Sequence, residues 1–416
     1  MGRSSGLAAA AAVLCWIAWL PAQPSALDLS RFDRGASIMM LRQIKSDLTA
    51  NYYDRSFRGI DVNAAFDEAE RELRSAHTLS DAMSVISGVL LRLHDSHTIF
   101  FPPERITRVR NGWRAAIVGD TPYVVQVTPG SDADMKGLAV GDRLVQWNDD
   151  TPDRSNLRRL TYTYQLVAPQ VVHHLIVATP SGRTRRIDVS AALTARDPAD
   201  EPGALIEDLA DAFAAHEPDR DTRVDGVVVW QLHAFDDRSS FDSVIRKAAA
   251  AGALAIDLRG NGGGSIRAML ALLARLFPSD VQVATVRTRN GTDRLVANGR
   301  RTAFTGPLAV LVDSGTASAS EIAARVVQLE GRGVVIGDRT AGAVMTSRVF
   351  SHTTGIHSVA FYADSITVGD VRMRDGASLE GSGVTPDEVV LPSADDLAKN
   401  RDRALARALV RLREKR

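Results

Sequence analysis

Five consecutive apolar residues, Leu308-Ala-Val-Leu-Val312, run into Asp313-Ser-Gly-Thr-Ala-Ser318-Ala-Ser-Glu321, and a helical pattern follows from Ile322 to Gln328. The apolar run predicts a buried strand, the small residues a turn, and the last segment a helix packed behind it. A serine in such a turn sits at the end of a sheet, beside free backbone N–H groups and the positive end of a helix dipole. A nucleophile and a developing oxyanion need those surroundings. Ser318-Ala-Ser-Glu321 also satisfies the S-x-x-E capping box, so on this stretch alone Ser318 reads equally as a helix cap.

The chain around it is long enough, at 416 residues, for two or three domains with ample core. Its 50 basic and 50 acidic residues cancel, which removes the electrostatic footprint of a nucleic-acid binder. The basic residues are almost all arginine; the lysines are Lys45, Lys136, Lys247, Lys399 and Lys415. Arg3, the apolar Leu7 to Leu20 and the small residues up to Ala26 read as a secretory signal over residues 1–26, so export to the periplasm or beyond is expected. Cys15, the single cysteine, lies inside it, so the mature chain is expected to lack disulfides and thiolate metal sites.

Residues 27–108 carry helical stripes: Ile38 to Leu48, Ala64 to Leu73 and Ala82 to Leu93. Leu93-His-Asp-Ser96-His97-Thr98 then leads into a short apolar strand, Ile99-Phe-Phe101. His94 and His97 have no third ligand nearby in sequence, which argues against zinc. From 109 to 196 the pattern changes to short strands and turns, and residues 197–395 return to alternating strands and helices, the signature of a parallel or mixed sheet. The fold class expected is therefore α/β, with a helical leader and a small β-rich insert. Residues 396–416 read as a basic amphipathic helix that packs or dimerises. His233 reads as a half-buried strand residue.

The loop Leu258-Arg-Gly-Asn261-Gly-Gly263-Gly264-Ser265 lies between a strand ending at Asp257 and a helix beginning at Ile266. Glycine-rich strand-to-helix loops can cradle phosphate. Here Ser265 occupies the third glycine position of a dinucleotide fingerprint and no Gly-Lys-Ser/Thr occurs, so that reading fails. The other reading is a set of bare N–H groups beside Ser318.

Asp257-Leu-Arg-x-Asn261-x-Gly263-Gly264 followed by Ala317-Ser318-Ala-Ser-Glu321 resembles the two signature loops of the tail-specific, or carboxy-terminal processing, serine peptidases of family S41 and their tricorn relatives. Ser131-x-Ala133-x-x-x-Gly137-Leu138-x-x-Gly141-Asp142-x-Leu144 resembles the core of a bacterial PDZ domain, a module that captures peptide ends at a sheet edge. The resemblance implies a peptidase core of the ClpP/crotonase-like type, Ser318 as nucleophile, and N–H groups of Gly263 or Gly264 and of Ala319 as oxyanion donors. It implies no cofactor and no metal. Its partners would be protein or peptide substrates, possibly taken by the C-terminal tail, with a homo-oligomer as an open option.

One position departs from that family. Where its members carry the lysine base, in Gly-Lys-Gly, this chain has Gly342-Ala343-Val344, and no lysine occurs between Lys247 and Lys399. The tricorn branch resembles a different arrangement, a Ser–His pair supported by a glutamate; Ser96-His97 fits the pair, and Glu380 in Leu379-Glu-Gly-Ser-Gly383 fits the acid. Two functions are therefore expected as alternatives: an exported serine endopeptidase with His97 as base, or a pseudopeptidase that binds peptides without cutting them. Asp95 and His94 are expected to be scaffolding.

Overall fold

The computed structural model describes residues 29–103, 107–195, 219–236, 241–354 and 360–414; the expected signal segment lies outside them. Helices α1 (Arg31–Asn51), α2 (Val62–Ser75) and α3 (Leu79–Leu91) begin at Ser30, Asp61 and Thr78, each side chain accepting an N–H of its first turn. Their apolar stripes meet in one core containing Leu41, Ile44, Leu48, Leu73, Ile86 and Leu90. Strand β1 (Ile99–Phe101) leaves that core as anticipated.

The insert is framed by the ribbon β2 (Thr107–Arg110) and β8 (Ala192–Ala195). Between them lies an antiparallel sheet of β3 (Trp113–Val118), β4 (Thr121–Val127), β5 (Arg143–Trp147), β6 (Val172–Ala178) and β7 (Thr184–Ser190), in that order. Helices α4 (Asp132–Met135) and α5 (Leu157–Tyr162) accompany it. Trp113, Leu144, Trp147, Leu160 and Leu175 form its own core. Polar contacts seat this unit on the rest: Asp338 accepts the Gly119 N–H at 2.9 Å and pairs with Arg154 at 3.0 Å, and the Ser314 hydroxyl donates to the Ile117 carbonyl at 2.6 Å.

The remaining elements follow in chain order: β9 (Arg220–Val224), β10 (Val227–Gln231), α6 (Asp242–Ala251), β11 (Leu254–Asp257), α7 (Ile266–Leu273), β12 (Val281–Thr288), β13 (Gly291–Ala297), β14 (Leu308–Val312), α8 (Ala319–Leu329), β15 (Val334–Gly337), β16 (Met345–Thr354), β17 (Ala360–Met373), β18 (Glu388–Val389), α9 (Ala394–Ala398) and α10 (Arg403–Glu414). The main sheet runs β18-β15-β14-β11-β10-β9 and is parallel except for β9. β14 is buried at every residue, which is why its sequence is an unbroken apolar run rather than an alternation. A second, antiparallel sheet pairs β17 with β16 along one edge and with β1 and β12 along the other, and β12 with β13. Tyr362 and Ile366 of β17 enter the core of the helical leader, so leader and core are joined there.

The C-terminal segment is not the single helix expected. Asn400 has φ +50°, which breaks it into α9 and α10. Ala404, Ala408, Leu409 and Leu412 of α10 pack under β10, β11, β14 and β15, so the apolar stripe is spent on the chain's own sheet. His233 is half-buried as expected, but it lies past the end of β10, not within it.

Candidate active site

The carboxyl ends of β11 and β14, adjacent parallel strands, release the glycine-rich loop and the Ser318 turn side by side, where open α/β sheets place their sites. Asp313 folds the second loop by accepting the N–H groups of Gly315 and Thr316 at 2.9 and 3.0 Å, and the Thr316 hydroxyl reaches back to the Leu258 carbonyl at 2.8 Å. The Ala317 N–H donates to the Asn261 carbonyl at 2.9 Å, which fixes the two loops to each other. Ser318 itself has φ 55° and ψ −122°, a conformation that a residue with a Cβ adopts only when its surroundings impose it.

The capping pair with Glu321 is present, with the Ser318 N–H donating to Glu321 Oε2 at 3.1 Å. Within hydrogen-bond geometry, however, the Ser318 hydroxyl is not tied to the helix N–H groups; it lies 3.4 Å from His97 Nε2. Ser320, the neighbouring alternative, is fully buried with its hydroxyl lacking a partner among the described residues.

His97 arrives from the turn between α3 and β1, 221 positions away in sequence. Asp95 shapes that turn: its Oδ1 accepts the His97 and Thr98 N–H groups at 3.0 and 2.7 Å and the Thr367 hydroxyl at 2.8 Å. Its Oδ2 accepts the hydroxyls of Tyr52 and Thr98 at 2.8 and 3.0 Å. Asp95 is therefore scaffolding, as expected, and the signal for it was the Asx-turn pattern of an Asp two residues before the His. His94, with φ +50°, contributes its carbonyl to Arg58 at 2.9 Å.

On its other side, His97 Nδ1 is 2.7 Å from Ser96 Oγ, and Ser96 Oγ donates to Glu380 Oε2 at 2.9 Å. A hydroxyl has one proton to give. Because Ser96 spends it on Glu380, Nδ1 must carry the proton of the 2.7 Å contact, and Nε2 is left as a bare acceptor facing Ser318. Glu380 also accepts the Ser96 N–H through Oε1 and the Val344 N–H through Oε2, each at 2.8 Å. Burial pushes the Glu380 pKa upward, and those donors pull it back. The glutamate thus acts on His97 through Ser96, not directly.

The His97 ring is half-buried, and its pKa is pushed down to about 4. Burial is the largest cause, the positive charge of Arg158 adds to it, and the Asp95 carboxylate opposes both. Arg158 belongs to α5 of the insert, so the β-rich unit itself supplies charge to the site. Nothing in the sequence pointed to that residue.

Ala343 is buried, 1 % exposed, and offers backbone only. Its N–H donates to Glu321 Oε2 at 2.8 Å, and its carbonyl accepts the Ser318 N–H at 2.9 Å. Glu321 Oε1 further accepts the Gly342 N–H at 2.8 Å and the Thr340 hydroxyl at 2.5 Å. Burial raises the Glu321 pKa against these donors. Read from sequence as a cap alone, Glu321 is in fact the post that ties the Thr340–Ala343 loop to the foot of Ser318.

The glycine-rich loop requires one correction. The Gly263 N–H, expected as an oxyanion donor, is already given to Asn261 Oδ1 at 2.8 Å. Among the described residues, the N–H groups of Gly264 and Ala319 have no hydrogen-bond partner, and these two remain available. Gly263 has another role: at φ +105°, a Cβ there would stand 2.6 Å from Ser318 Cβ. Its missing side chain lets the two loops touch.

Residues 226–390 match the family model for peptidase family S41. Over these residues the chain is a member of peptidase family S41, a family of serine peptidases. It is 27% identical over 370 residues to the chloroplastic C-terminal processing peptidase of Tetradesmus obliquus, covering 81% of this chain and 73% of that one. It is 33% identical over 135 residues to the carboxyl-terminal-processing protease of a Synechocystis strain, covering 32% of this chain and 30% of the other. Among solved structures, mature CPAF complexed with lactacystin superposes with a TM-score of 0.64 at 15% identity, over 92% of this chain and 97% of that one. The last likeness establishes a shared fold across leader, insert and S41 core. No helix among the described residues is long and apolar enough to cross a membrane.

Proposed function

We propose that this S41 member is an active serine endopeptidase that uses His97, in place of the family lysine, as general base. The observation that carries this reading is the line Glu380–Ser96–His97–Ser318, with successive contacts of 2.9, 2.7 and 3.4 Å. Neutral His97 Nε2 takes the Ser318 proton as Oγ attacks the peptide carbonyl. The resulting oxyanion is received by the N–H groups of Gly264 and Ala319. The imidazolium that forms is stabilised through the Ser96 hydroxyl by Glu380 and then protonates the leaving amine. Water, activated by the same imidazole, releases the acyl group. Each part is supplied by this chain, and none of these steps is routed through a cofactor.

The pseudopeptidase alternative rested on the missing lysine. Ala343 supplies backbone to the nucleophile's foot, while the basic nitrogen is that of His97, 3.4 Å from the Ser318 hydroxyl, so replacing the lysine leaves the serine with a base. Export, carboxyl-terminal tail recognition and the β-rich insert as a PDZ-like receiver of that tail belong to the same reading. Names of relatives such as the tail-specific protease of Haemophilus influenzae support tail recognition. The test is cleavage of a set of peptides by the purified full chain. Products from wild type that are absent with Ser318→Ala, whose melting curve shows it folded, would support the proposal. A wild-type chain that binds the peptides but leaves all of them intact would favour the pseudopeptidase.

A further inference from the structure

Away from Ser318, three side chains that can ligate a metal converge where the helical leader meets the second sheet. Asp47 comes from α1, His352 from β16 and Asp364 from β17. His352 Nε2 lies 3.1 Å from Asp47 Oδ2 and 2.9 Å from Asp364 Oδ1. The side chains of Asp47 and His352 are 15% and 16% exposed, and that of Asp364 is fully buried. One imidazole N–H is thus shared between two carboxylates. Asp364 Oδ2 is buried with no hydrogen-bond partner among the described residues, although an unsatisfied anionic oxygen is costly inside a protein. The neighbouring Gln43 amide serves Asp47 Oδ2 at 3.0 Å and leaves Asp364 unrelieved.

We infer that Asp47, His352 and Asp364 form a binding site for a divalent first-row transition metal ion. Ligand atoms around an ion at bond lengths of about 2.1 Å stand roughly 3.0 to 3.4 Å apart, for octahedral and tetrahedral arrangements, and the two contacts made by His352 fall at or just below that range. An imidazole with two carboxylates suits zinc or manganese better than calcium or magnesium, which favour all-oxygen sites. Binding would displace the proton from Nε2 and place a positive ion between the imidazole and the two carboxylates, offsetting the charge of the buried Asp364.

The placement gives such an ion a structural consequence. Asp364 pairs across the sheet with Phe100 of β1, the strand that begins two residues after His97. An ion bridging α1 to β16 and β17 would staple the leader to the strand against which β1, and with it the His97 turn, is paired.

The test is calorimetric titration of metal-stripped full-length protein with zinc, and separately with manganese, alongside melting curves with and without each ion. The expected result is about one site per chain for at least one ion, a rise in Tm on loading, and affinity at least about tenfold weaker in Asp364→Asn and His352→Gln. Asp47→Asn, on the partly exposed face of α1, should weaken binding likewise and decides the matter if the two buried variants fail to fold. Absence of a stoichiometric site in wild type, or binding in folded Asp47→Asn as tight as in wild type, would overturn the inference.

Discussion

Replacing His97 by alanine should lower kcat/KM by on the order of 10³-fold or more, while peptide affinity changes little. The loss falls on the chemical step because His97 Nε2 meets the Ser318 hydroxyl, and among the described residues no other base is hydrogen-bonded to it. Glu380→Gln should cost less, since it weakens the hydrogen bonds to Ser96 without removing the proton acceptor. The pH dependence follows from the direction of the His97 shift. Activity requires the neutral imidazole, so kcat/KM rises with pH through the free-enzyme pKa and is lost as pH falls below it. With that pKa pushed down to about 4, the limb should lie well below the ordinary histidine range, and activity should already be flat near neutrality. Arg158→Gln removes a cation that disfavours imidazolium and should move the limb upward. A limb near the ordinary value in wild type, unmoved by Arg158→Gln, would contradict the electrostatic part of the account.

Gly263→Ala should be nearly as damaging, although the residue donates nothing to the substrate in this arrangement. The added methyl would stand 2.6 Å from Ser318 Cβ and 3.0 Å from the Ala319 nitrogen, at a backbone φ of +105° that alanine resists. The loops must then separate, at a cost of about 1–3 kcal/mol in strain. Displacing the nucleophile by even an ångström from its base and oxyanion donors is expected to lower kcat by on the order of 10²-fold. A folded Gly263→Ala with wild-type kcat would show that the contact between the loops does not position Ser318. Gly262→Ala is the control: no atom lies within 4 Å of a Cβ built there.

These contacts also mark where reading the sequence succeeds and where it stops. The unbroken apolar Leu308–Val312 run and the small-residue turn after it fold as expected, because a strand buried on both faces and a helix N-terminus both leave strong local patterns. Ser96, His97, Ser318 and Glu380 were nameable through resemblance, and the structure brings them together across separations of 221 and 284 positions. What stayed hidden were long-range facts with no periodic signature. The Gly263 N–H is taken by a side chain two residues away, a matter of loop geometry, not residue type. Arg158 reaches the site only because the insert docks through Asp338 and Ser314. Asn400 gave no proline or glycine to announce the break between α9 and α10. Asp47, His352 and Asp364 are scattered over a helix and two strands, so no spacing rule could have joined them.

The most direct test of the central claim is to treat the full-length protein with a fluorophosphonate and map the adduct by peptide mass. The proposed mechanism predicts stoichiometric labelling at Ser318, none in Ser318→Ala, strongly slowed labelling in His97→Ala, and undiminished labelling in Ser320→Ala, whose hydroxyl is sealed in the core. Melting curves should show Ser318→Ala still folded and close to wild type, because the hydroxyl is not tied to the helix N–H groups and the backbone bond to Glu321 survives the substitution. An adduct on Ser320, or labelling of Ser318 as fast in His97→Ala as in wild type, would contradict it.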